Sequence, residues 1–526
     1  MATYFCNCGS NIENYNLCIE YKVAGFPSSG YVSGDLVYLI VKENNLWKLG
    51  AKGLLKNETL NKPWLDAEKY RSAFTIDWIE IDKVSITEIL QNLGYEPNFG
   101  LVIQGKKNLD TFQNKGNKLK MYFNAFFTDD SIKISTPEIN IHIEPKSTKN
   151  PMKITPKELI NHVDKYIEAK GFRYKLDEIA NFYLSLRTKP FVILAGISGT
   201  GKTQLPRKFA TSLGFEENQL IQIPVRPDWT DSSDLLGYTA LDGNFIQKEL
   251  TLAIFEANKY PQKPFFFILD EMNLARVEHY FSDYLSVIET RERKNGEIIT
   301  NPILSKEMLK NAKNSGDLSA IGIPENLYLI GTVNMDETTH TFSRKVLDRA
   351  NTIEMNDINL DWIQIPSADI KSLKDISNDL FVTEFIESKD LNESDKKSIE
   401  KEIELLKEIN KILTKADLQF GYRVRDEIAF YLILNKKYKL IDDITAIDFQ
   451  LTQKILPRIH GSSERVQTLL IELLNLLESK SFKINSEIAD IVSGMEKENL
   501  KYSRASKKII FMLKRFDDDR FTSFWL

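Results

Sequence analysis

The stretch "AGISGTGKTQL", Ala195 to Leu205, decides the fold of this chain. It contains the pattern G-x-x-x-x-G-K-[ST], in which the fixed positions are Gly196, Gly201, Lys202 and Thr203. Glycines at these places let backbone N–H groups turn towards an anion, and the N-terminus of a following helix adds partial positive charge. The pattern therefore predicts a phosphate-binding loop between a strand and a helix.

The residues on either side of the loop fit that prediction. "PFVILA" (190–195) is a short apolar run of the kind found in buried parallel strands. "TQLPRKFATSLGF" (203–215) carries Leu205, Phe209 and Leu213 at roughly helical spacing before a glycine. We therefore expect a strand, the loop and a helix in that order.

The loop side chains have separate expected roles. Lys202 is expected to reach the β- and γ-phosphates of a nucleoside triphosphate, and the Thr203 hydroxyl to bind Mg²⁺. The sequence contains no Asn-Lys-x-Asp stretch that would select a guanine base, so GTP and ATP both remain possible. The residues expected to contact the nucleotide are Gly196, Ser198, Gly199, Thr200, Gly201, Lys202, Thr203 and Gln204.

Composition limits the class of protein. The 526 residues, 42% hydrophobic and 27% charged, are typical of a soluble globular chain, and their number suggests about three or four domains. We find neither a run of roughly 18 apolar residues nor an apolar leader, so we expect a cytoplasmic protein without a membrane partner. Cys6, Cys8 and Cys18 are too few for a disulfide framework and are expected to be reduced and free of metal. The formal net charge of −5 argues against indiscriminate coating of nucleic acid.

The character of the sequence changes along the chain. Residues 1–146 consist of β-branched and aromatic runs broken by turn signals, which indicates a mainly-β domain. Residues 147–157 are expected to form a linker. Residues 158–356 alternate between helix and strand patterns, which predicts an α/β domain with a parallel sheet. Residues 357–526 contain amphipathic helices and are expected to form a helical lid with further C-terminal helices.

A second apolar strand pattern, "KPFFFILDEMN" (263–273), ends in Asp270 and Glu271. In open parallel sheets, carboxylates at the carboxyl end of a strand lie where ligands bind. Asp270 is therefore expected to hold Mg²⁺ through water, and Glu271 to orient or deprotonate the attacking water.

A third strand pattern places an amide and several cations near the same site. "LYLIGTVN" (327–334) ends in Asn334, whose neutral side chain can polarise water without opposing phosphate charge. Arg344 and Arg349 follow in a short helical segment. An arginine that reaches a γ-phosphate accelerates hydrolysis strongly, but each of these could also form a surface ion pair.

Six ordered motifs carry a family resemblance: "GISGTGKT", "LDEMNLARVEHYFSDYLSVIE", "GTVNMDETTHTFSRKVLDRAN", "FGYRVRDEI", "ILPRIHGS" and "DDRFTSFWL". From about Ile154 to the C-terminus the chain resembles the McrB family, the AAA+ motor subunits of modification-dependent, 5-methylcytosine-specific restriction systems. The resemblance implies that Asn334 is the sensor 1 residue and Arg349 the arginine finger, with Arg344 as the other candidate. It also implies that Arg423 or Arg425 is the sensor 2 residue.

The same resemblance implies an assembly and a partner. McrB proteins form a ring, usually a hexamer, bind GTP rather than ATP, and act with a nuclease subunit, McrC. The chain departs from the family after Asn334, where it reads "VNMDETTH" without an arginine. This departure leaves open both the preference for GTP and the way in which a partner stimulates hydrolysis.

The front region resembles a base-reading domain. The stretch from Tyr31 to Ile81 is similar to small PUA-like barrels, in particular the EVE and YTH relatives, which hold a flipped and often methylated base between aromatic rings. Residues 1–146 carry 16 basic and 17 acidic side chains, which favours a pocket over a phosphate clamp. Aromatic side chains also pack small cores. The candidates for contact with a modified base in DNA are Tyr31, Trp47, Trp64 and Trp78.

Two functions fit these observations. The first is an NTPase that recognises modified DNA and drives a separate nuclease, as in phage defence by restriction. The alternative is a MoxR-like AAA+ chaperone that remodels protein clients with the same hydrolytic site. The phosphate loop and the Asp-Glu strand are common to both, so only the front domain distinguishes them.

Overall fold

The computed structural model describes residues 3–8, 12–26, 31–43, 46–64, 67–86, 154–294, 296–310, 312–313, 317–335, 340, 342–357, 360–361, 370–484, 486–496 and 498–525. The chain divides into two units, Met1–Glu144 and Pro145–Leu526. Among the described helices, none combines the length and apolar character needed to cross a lipid bilayer.

The front unit contains a five-stranded sheet and a helix. Its elements are β1 (Thr3–Asn7), α1 (Ile12–Glu20), β2 (Val23–Phe26), β3 (Leu36–Glu43), β4 (Leu46–Glu58) and β5 (Ser72–Ser85). The strand order is β1-β3-β4-β5-β2, with β1 parallel to β3 and the other neighbours antiparallel. Helix α1 was not anticipated from the strand-like sequence. The remainder of the predicted front domain and most of the predicted linker lie outside the described residues.

The second unit contains a parallel sheet, short hairpins and many helices. Its strands are β6 (Phe191–Gly196), β7 (Leu220–Pro224), β8 (Gly237–Thr239), β9 (Phe245–Gln247), β10 (Phe265–Asp270), β11 (Glu292–Lys294), β12 (Glu297–Ile299), β13 (Leu327–Asn334), β14 (Asn351–Glu354), β15 (His460–Gly461) and β16 (Thr522–Ser523). Its helices are α2 (Pro156–Ala169), α3 (Leu176–Thr188), α4 (Gln204–Ser212), α5 (Ser233–Leu236), α6 (Glu249–Lys259), α7 (Val277–Tyr280), α8 (Ser282–Val287), α9 (Arg344–Leu347), α10 (Glu393–Ser398), α11 (Glu400–Thr414), α12 (Tyr422–Tyr438), α13 (Asp443–Gln450), α14 (Glu464–Glu478), α15 (Ile488–Glu496) and α16 (Ser503–Asp519). Helix α2 begins inside the segment predicted as a linker.

The parallel sheet has the order β14-β6-β13-β10-β7, and every neighbouring pair is parallel. Strand β13 lies between β6 and β10, and its register pairs Asn334 with Gly196. The strands therefore end at one common edge, where open parallel sheets bind ligands. The prediction of an α/β core with a phosphate loop between a strand and a helix is confirmed.

Alternate side chains of β6 enter two different cores. Val192 and Leu194 pack in a cluster with the C-terminal helices, whereas Phe191, Ile193 and Ala195 pack in a cluster on the opposite face of the sheet. This division follows from the two-residue period of a strand. Because both faces are covered, the strand is apolar at every position, which is why its sequence reads as an uninterrupted hydrophobic run.

A buried ion network joins helix α12 to the sheet. Glu427 accepts hydrogen bonds from Lys189, at 2.5 Å, and from Lys454. The Lys454 ammonium also donates to the Ala350 carbonyl at 2.8 Å. Burial alone would raise the pKa of Glu427, but the charges and hydrogen bonds of Lys189 and Lys454 outweigh it and lower the pKa to about 2. The carboxylate therefore stays ionised across the physiological pH range.

This network predicts a specific loss of stability in acid. Since the pKa of Glu427 falls from 4.5 to about 2 on folding, its stabilisation is complete above about pH 4.5 and disappears as the pH falls towards 2. Glu427→Gln removes the carboxylate that the buried Lys189 and Lys454 share, and we expect it to destabilise the protein by about 3 kcal/mol at pH 7. Chemical denaturation of both proteins between pH 7 and pH 3 tests this. A difference in unfolding free energy that does not shrink in acid contradicts the assignment.

Candidate active site

The phosphate loop requires glycine at two described positions. Gly199 and Gly201 have φ angles of +84° and +86°, a region that side chains other than glycine rarely adopt. A Cβ atom on Gly201 would lie 2.6 Å from the Tyr174 hydroxyl oxygen. That hydroxyl donates a hydrogen bond to the Gly201 carbonyl at 2.9 Å. The glycines thus allow both the turn and the close approach of Tyr174.

The chain itself holds the loop in shape. The Ile197 N–H donates to Asn356 Oδ1 at 3.1 Å, so the segment after β14 supports the first turn of the loop. The Ile197 carbonyl accepts from the Lys202 ammonium at 2.6 Å and from the Thr200 hydroxyl at 3.1 Å. Lys202 is buried, whereas Ser198 is exposed. Lys202 therefore lies inside the curve of the loop, and its contact with the phosphates remains a prediction.

Asp270 is held at the end of β10 by three donors from other elements. Its Oδ1 atom accepts from the Thr203 hydroxyl at 2.9 Å and from the Thr332 hydroxyl at 2.6 Å. Its Oδ2 atom accepts from Gln222 Nε2 at 2.9 Å. These contacts fix the Asp270 carboxylate next to Thr203, the residue that follows Lys202 in the phosphate loop.

These residues fit a magnesium ion. Mg²⁺ prefers hard oxygen ligands and uses one or two protein groups together with phosphate oxygens. The Thr203 hydroxyl and the Asp270 carboxylate are such groups, and they lie 2.9 Å apart. A bound Mg²⁺ neutralises phosphate charge during transfer. Thr203 and Asp270 would hold it.

Glu271 and Asn334 meet beside Asp270. The Asn334 amide donates from Nδ2 to Glu271 Oε1 at 2.8 Å. Glu271 has a φ of +53°, a conformation that costs a non-glycine residue about 1 kcal/mol or more. It is held there because its N–H donates to the Thr332 hydroxyl at 3.1 Å. Asn273 Nδ2 in turn donates to the Asn334 carbonyl at 3.0 Å. The exposed carboxylate and the amide together can orient a water molecule.

Two of the predicted arginines lie far from this edge. Glu289 forms ion pairs with Arg349, at 3.5 Å, with Arg423, and with Lys189, at 3.3 Å. Lys189 stands just before β6, at the end of the strand opposite Gly196. A strand rises about 3.3 Å per residue, so roughly 20 Å separates this ion cluster from the phosphate loop of the same chain.

The other two candidate arginines have different surroundings. Arg425 pairs with Asp426 at 2.6 Å, and its guanidinium lies 5.0 Å from the centroid of the Tyr422 ring. Arg344 is exposed at the start of α9. Of the four arginines, the structure therefore brings Arg349 and Arg423 together on Glu289.

The aromatic candidates of the front unit have packing roles. The Trp64 indole N–H donates to Cys18 Sγ at 3.3 Å, and the Trp78 indole N–H donates to the Cys18 carbonyl at 2.9 Å. Trp64, Tyr31 and Trp47 are buried, and Trp78 is half-buried. Contact of these four rings with a base remains a prediction.

Comparison with known proteins supports the family. The chain is 28% identical over 153 residues to the type IV methyl-directed restriction enzyme EcoKMcrB subunit of Escherichia coli K12. The match covers 28% of this chain and 31% of that relative. This similarity agrees with the site described above, in which the phosphate loop is followed along the chain by Asp270, Glu271 and Asn334. The chain is a P-loop nucleoside triphosphatase of the AAA+ type, and it is similar to the McrB subunit. The aligned part spans about a third of the McrB subunit it matches.

Two further comparisons gave matches to this McrB-like chain. A domain of unknown function, DUF8727, matches residues 372–521, which include α10 to α16. A crystal structure of a candidate ATPase from Cytophaga hutchinsonii aligns with 65% of this chain and 94% of its own, at 16% identity and a TM-score of 0.32. So low a TM-score adds nothing to the fold assignment, which rests on the strand order.

Several residues of this McrB-like site were missed by the sequence analysis. Thr332 lies two positions before Asn334 on β13, so strand alternation could have placed both on one face. Gln222 is the one polar residue in the strand "LIQIP", which was a weaker signal. Glu289 is the last residue of the motif "LDEMNLARVEHYFSDYLSVIE", but the motif gave it no role, because its partners are distant in sequence.

Thr332 provides a test of how Asp270 and Glu271 are positioned. Thr332→Val keeps the shape of the side chain but removes one hydrogen bond to each of these residues. A hydrogen bond to a charged group contributes about 1.5–3 kcal/mol, so we expect turnover to fall by about tenfold or more. Thr352→Val is the matched control, because the Thr352 hydroxyl is buried in β14 and has no hydrogen-bond partner in the part of the chain that the structure describes. Equal turnover in the two variants contradicts the role of Thr332.

Proposed function

We propose that this protein hydrolyses GTP or ATP at sites shared between neighbouring copies of the chain. The strongest support is the distance between the phosphate loop and the arginines within one chain. Lys202 lies at one end of β6, and the Glu289 ion cluster with Arg349 and Arg423 lies at the other. About 20 Å is beyond the reach of an arginine side chain, so these arginines act on the nucleotide of a neighbouring subunit.

Each residue of the proposed site has one task. Lys202 and the loop N–H groups bind the phosphates, and Thr203 with Asp270 holds Mg²⁺. Glu271 accepts a proton from the attacking water, which Asn334 helps to orient. Arg349, with Arg423 beside it, stabilises charge on the γ-phosphate across the seam. A head-to-tail contact of this kind closes into a ring when the rotation between subunits allows it, and we propose a hexamer.

Mixing two inactive variants tests the shared site. Lys202→Ala removes the phosphate contact, and Arg349→Ala removes the group that acts across the seam; we expect each alone to lower turnover by about a hundredfold or more. In a one-to-one mixture, about a quarter of the seams combine an intact Lys202 with an intact Arg349 from the next subunit. The mixture should therefore recover activity well above either variant. Activity that merely averages the two variants contradicts a shared site.

The role of the front unit is the second part of the proposal. The McrB subunit that the chain resembles is described as part of a methyl-directed restriction enzyme. We propose that residues 1–146 form a PUA- or EVE-like domain that recognises modified bases in DNA, and that residues 158–356 and 357–526 form the motor and its lid. A separate McrC-type subunit supplies the nuclease. The sheet of the front unit and its concentration of aromatic rings support this reading.

DNA binding distinguishes this proposal from a MoxR-like remodeller of proteins. We expect the full chain to bind a duplex with 5-methylcytosine at least about tenfold more tightly than the unmodified duplex, since one specific base contact contributes about 1–3 kcal/mol. The measurement is a titration of labelled duplexes at fixed salt, with the same duplex lacking the modification as the control. Equal affinity for both duplexes removes the support for the restriction role and favours protein clients.

A further inference from the structure

Glu289 is the meeting point of cations from three separate elements. Its carboxylate pairs with Lys189 before β6, with Arg349 between α9 and β14, and with Arg423 on α12. Its side chain is 16% exposed, while that of Arg423 is 46% exposed and that of Arg349 21%. The carboxylate is therefore largely enclosed, whereas Arg423 is exposed and Arg349 is partly exposed.

The backbones that carry the two arginines are fixed by the same network. Helix α12 carries Arg423 and Glu427 about one turn apart, and Glu427 is bound to Lys189 and Lys454. Lys454 donates to the carbonyl of Ala350, the residue next to Arg349. Lys189 contacts both carboxylates, Glu289 at 3.3 Å and Glu427 at 2.5 Å. The network thus sets the positions of both arginines relative to the same lysine.

The charges of this network do not balance among themselves. The cations Lys189, Arg349, Arg423 and Lys454 face the carboxylates Glu289 and Glu427. The excess of positive charge lies on the two arginines, because both lysines are buried around Glu427. The single negative charge of Glu289 reduces the repulsion between the Arg349 and Arg423 guanidinium groups, but it neutralises only one of their two positive charges. The pair is therefore suited to receive an anion.

We infer that Glu289 is a positioning residue that holds Arg349 and Arg423 as a pair for the triphosphate of the neighbouring subunit. This inference rests on the proposed shared site. Glu289 itself does not touch the nucleotide in that arrangement. It keeps two cations side by side that would otherwise separate, so that both reach the same phosphate group when the ring forms.

The test is the kinetics of Glu289→Gln in the full chain. The glutamine has the same shape but lacks the charge, and a misplaced catalytic group lowers turnover by about tenfold to a hundredfold. We expect kcat to fall by that factor, KM to change by less than about twofold, and assembly by light scattering to be retained. Glu289→Asp should restore part of the lost kcat.

Glu384→Gln is the matched control. Glu384 also receives several donors, Arg187 at 3.0 Å together with Lys437 and Tyr438, but it lies outside the proposed site. We expect both variants to lower the unfolding temperature by similar amounts and only Glu289→Gln to lower kcat. If both lower kcat equally, Glu289 has a merely structural role and the inference is wrong.

The double variant separates this inference from the proposed function. If Glu289 acts through the arginines, Glu289→Gln adds little to the loss already caused by Arg349→Ala. Normal activity of Glu289→Gln, or losses that multiply in the double variant, overturns the positioning role alone. Normal activity of Arg349→Ala overturns the shared site and the inference with it.

Discussion

The parallel register of three neighbouring strands is the constraint on which the candidate site depends. Strands β6, β13 and β10 end at the same edge of the sheet, so Gly196, Asn334 and Asp270 are neighbours although they are far apart in sequence. The buried faces of these strands keep the register, because a shift by one residue would move apolar side chains out of both cores. Packing away from the site thereby sets its geometry.

The length of these strands separates the phosphate loop from the arginines that are proposed to act on the nucleotide. One end of β6 carries the phosphate loop, and the other carries Lys189 within the ion cluster of Glu289 and Glu427. Buried charges of this kind are costly unless they are paired, and these form a continuous network between α12, the sheet and the segment before β14. Such a network can hold the helical part and the arginines in one arrangement. Under the proposed shared site, a single chain does not bring these arginines to its own phosphate loop.

The sequence after Asn334 lacks the arginine found in the McrB family. The contacts around Asp270 and Glu271 show which residues of this chain hold the two carboxylates in place. Residues Asp336 and Glu337 lie outside the described part of the chain. Within it, Thr332 and Gln222 supply the contacts that fix Asp270, and Thr332 also holds Glu271 in its left-handed conformation. These uncharged donors leave the base preference open, since they act on the carboxylates and not on the nucleobase.

The sequence alone determined the phosphate loop, the apolar strand ending in Asp270 and Glu271, and Asn334, because each is a local pattern in which chemistry and spacing occur together. It also determined the α/β class, since continuous apolar runs mark strands covered on both faces. Only the tertiary structure decided which arginines lie together, because ion pairs form between residues distant in sequence. Arg349 and Arg423 meet through Glu289, and Arg425, only two residues from Arg423, turns to Asp426 instead. Local sequence could not distinguish these two arginines. Which carboxylate each one pairs with depends on the residues that the fold brings next to it.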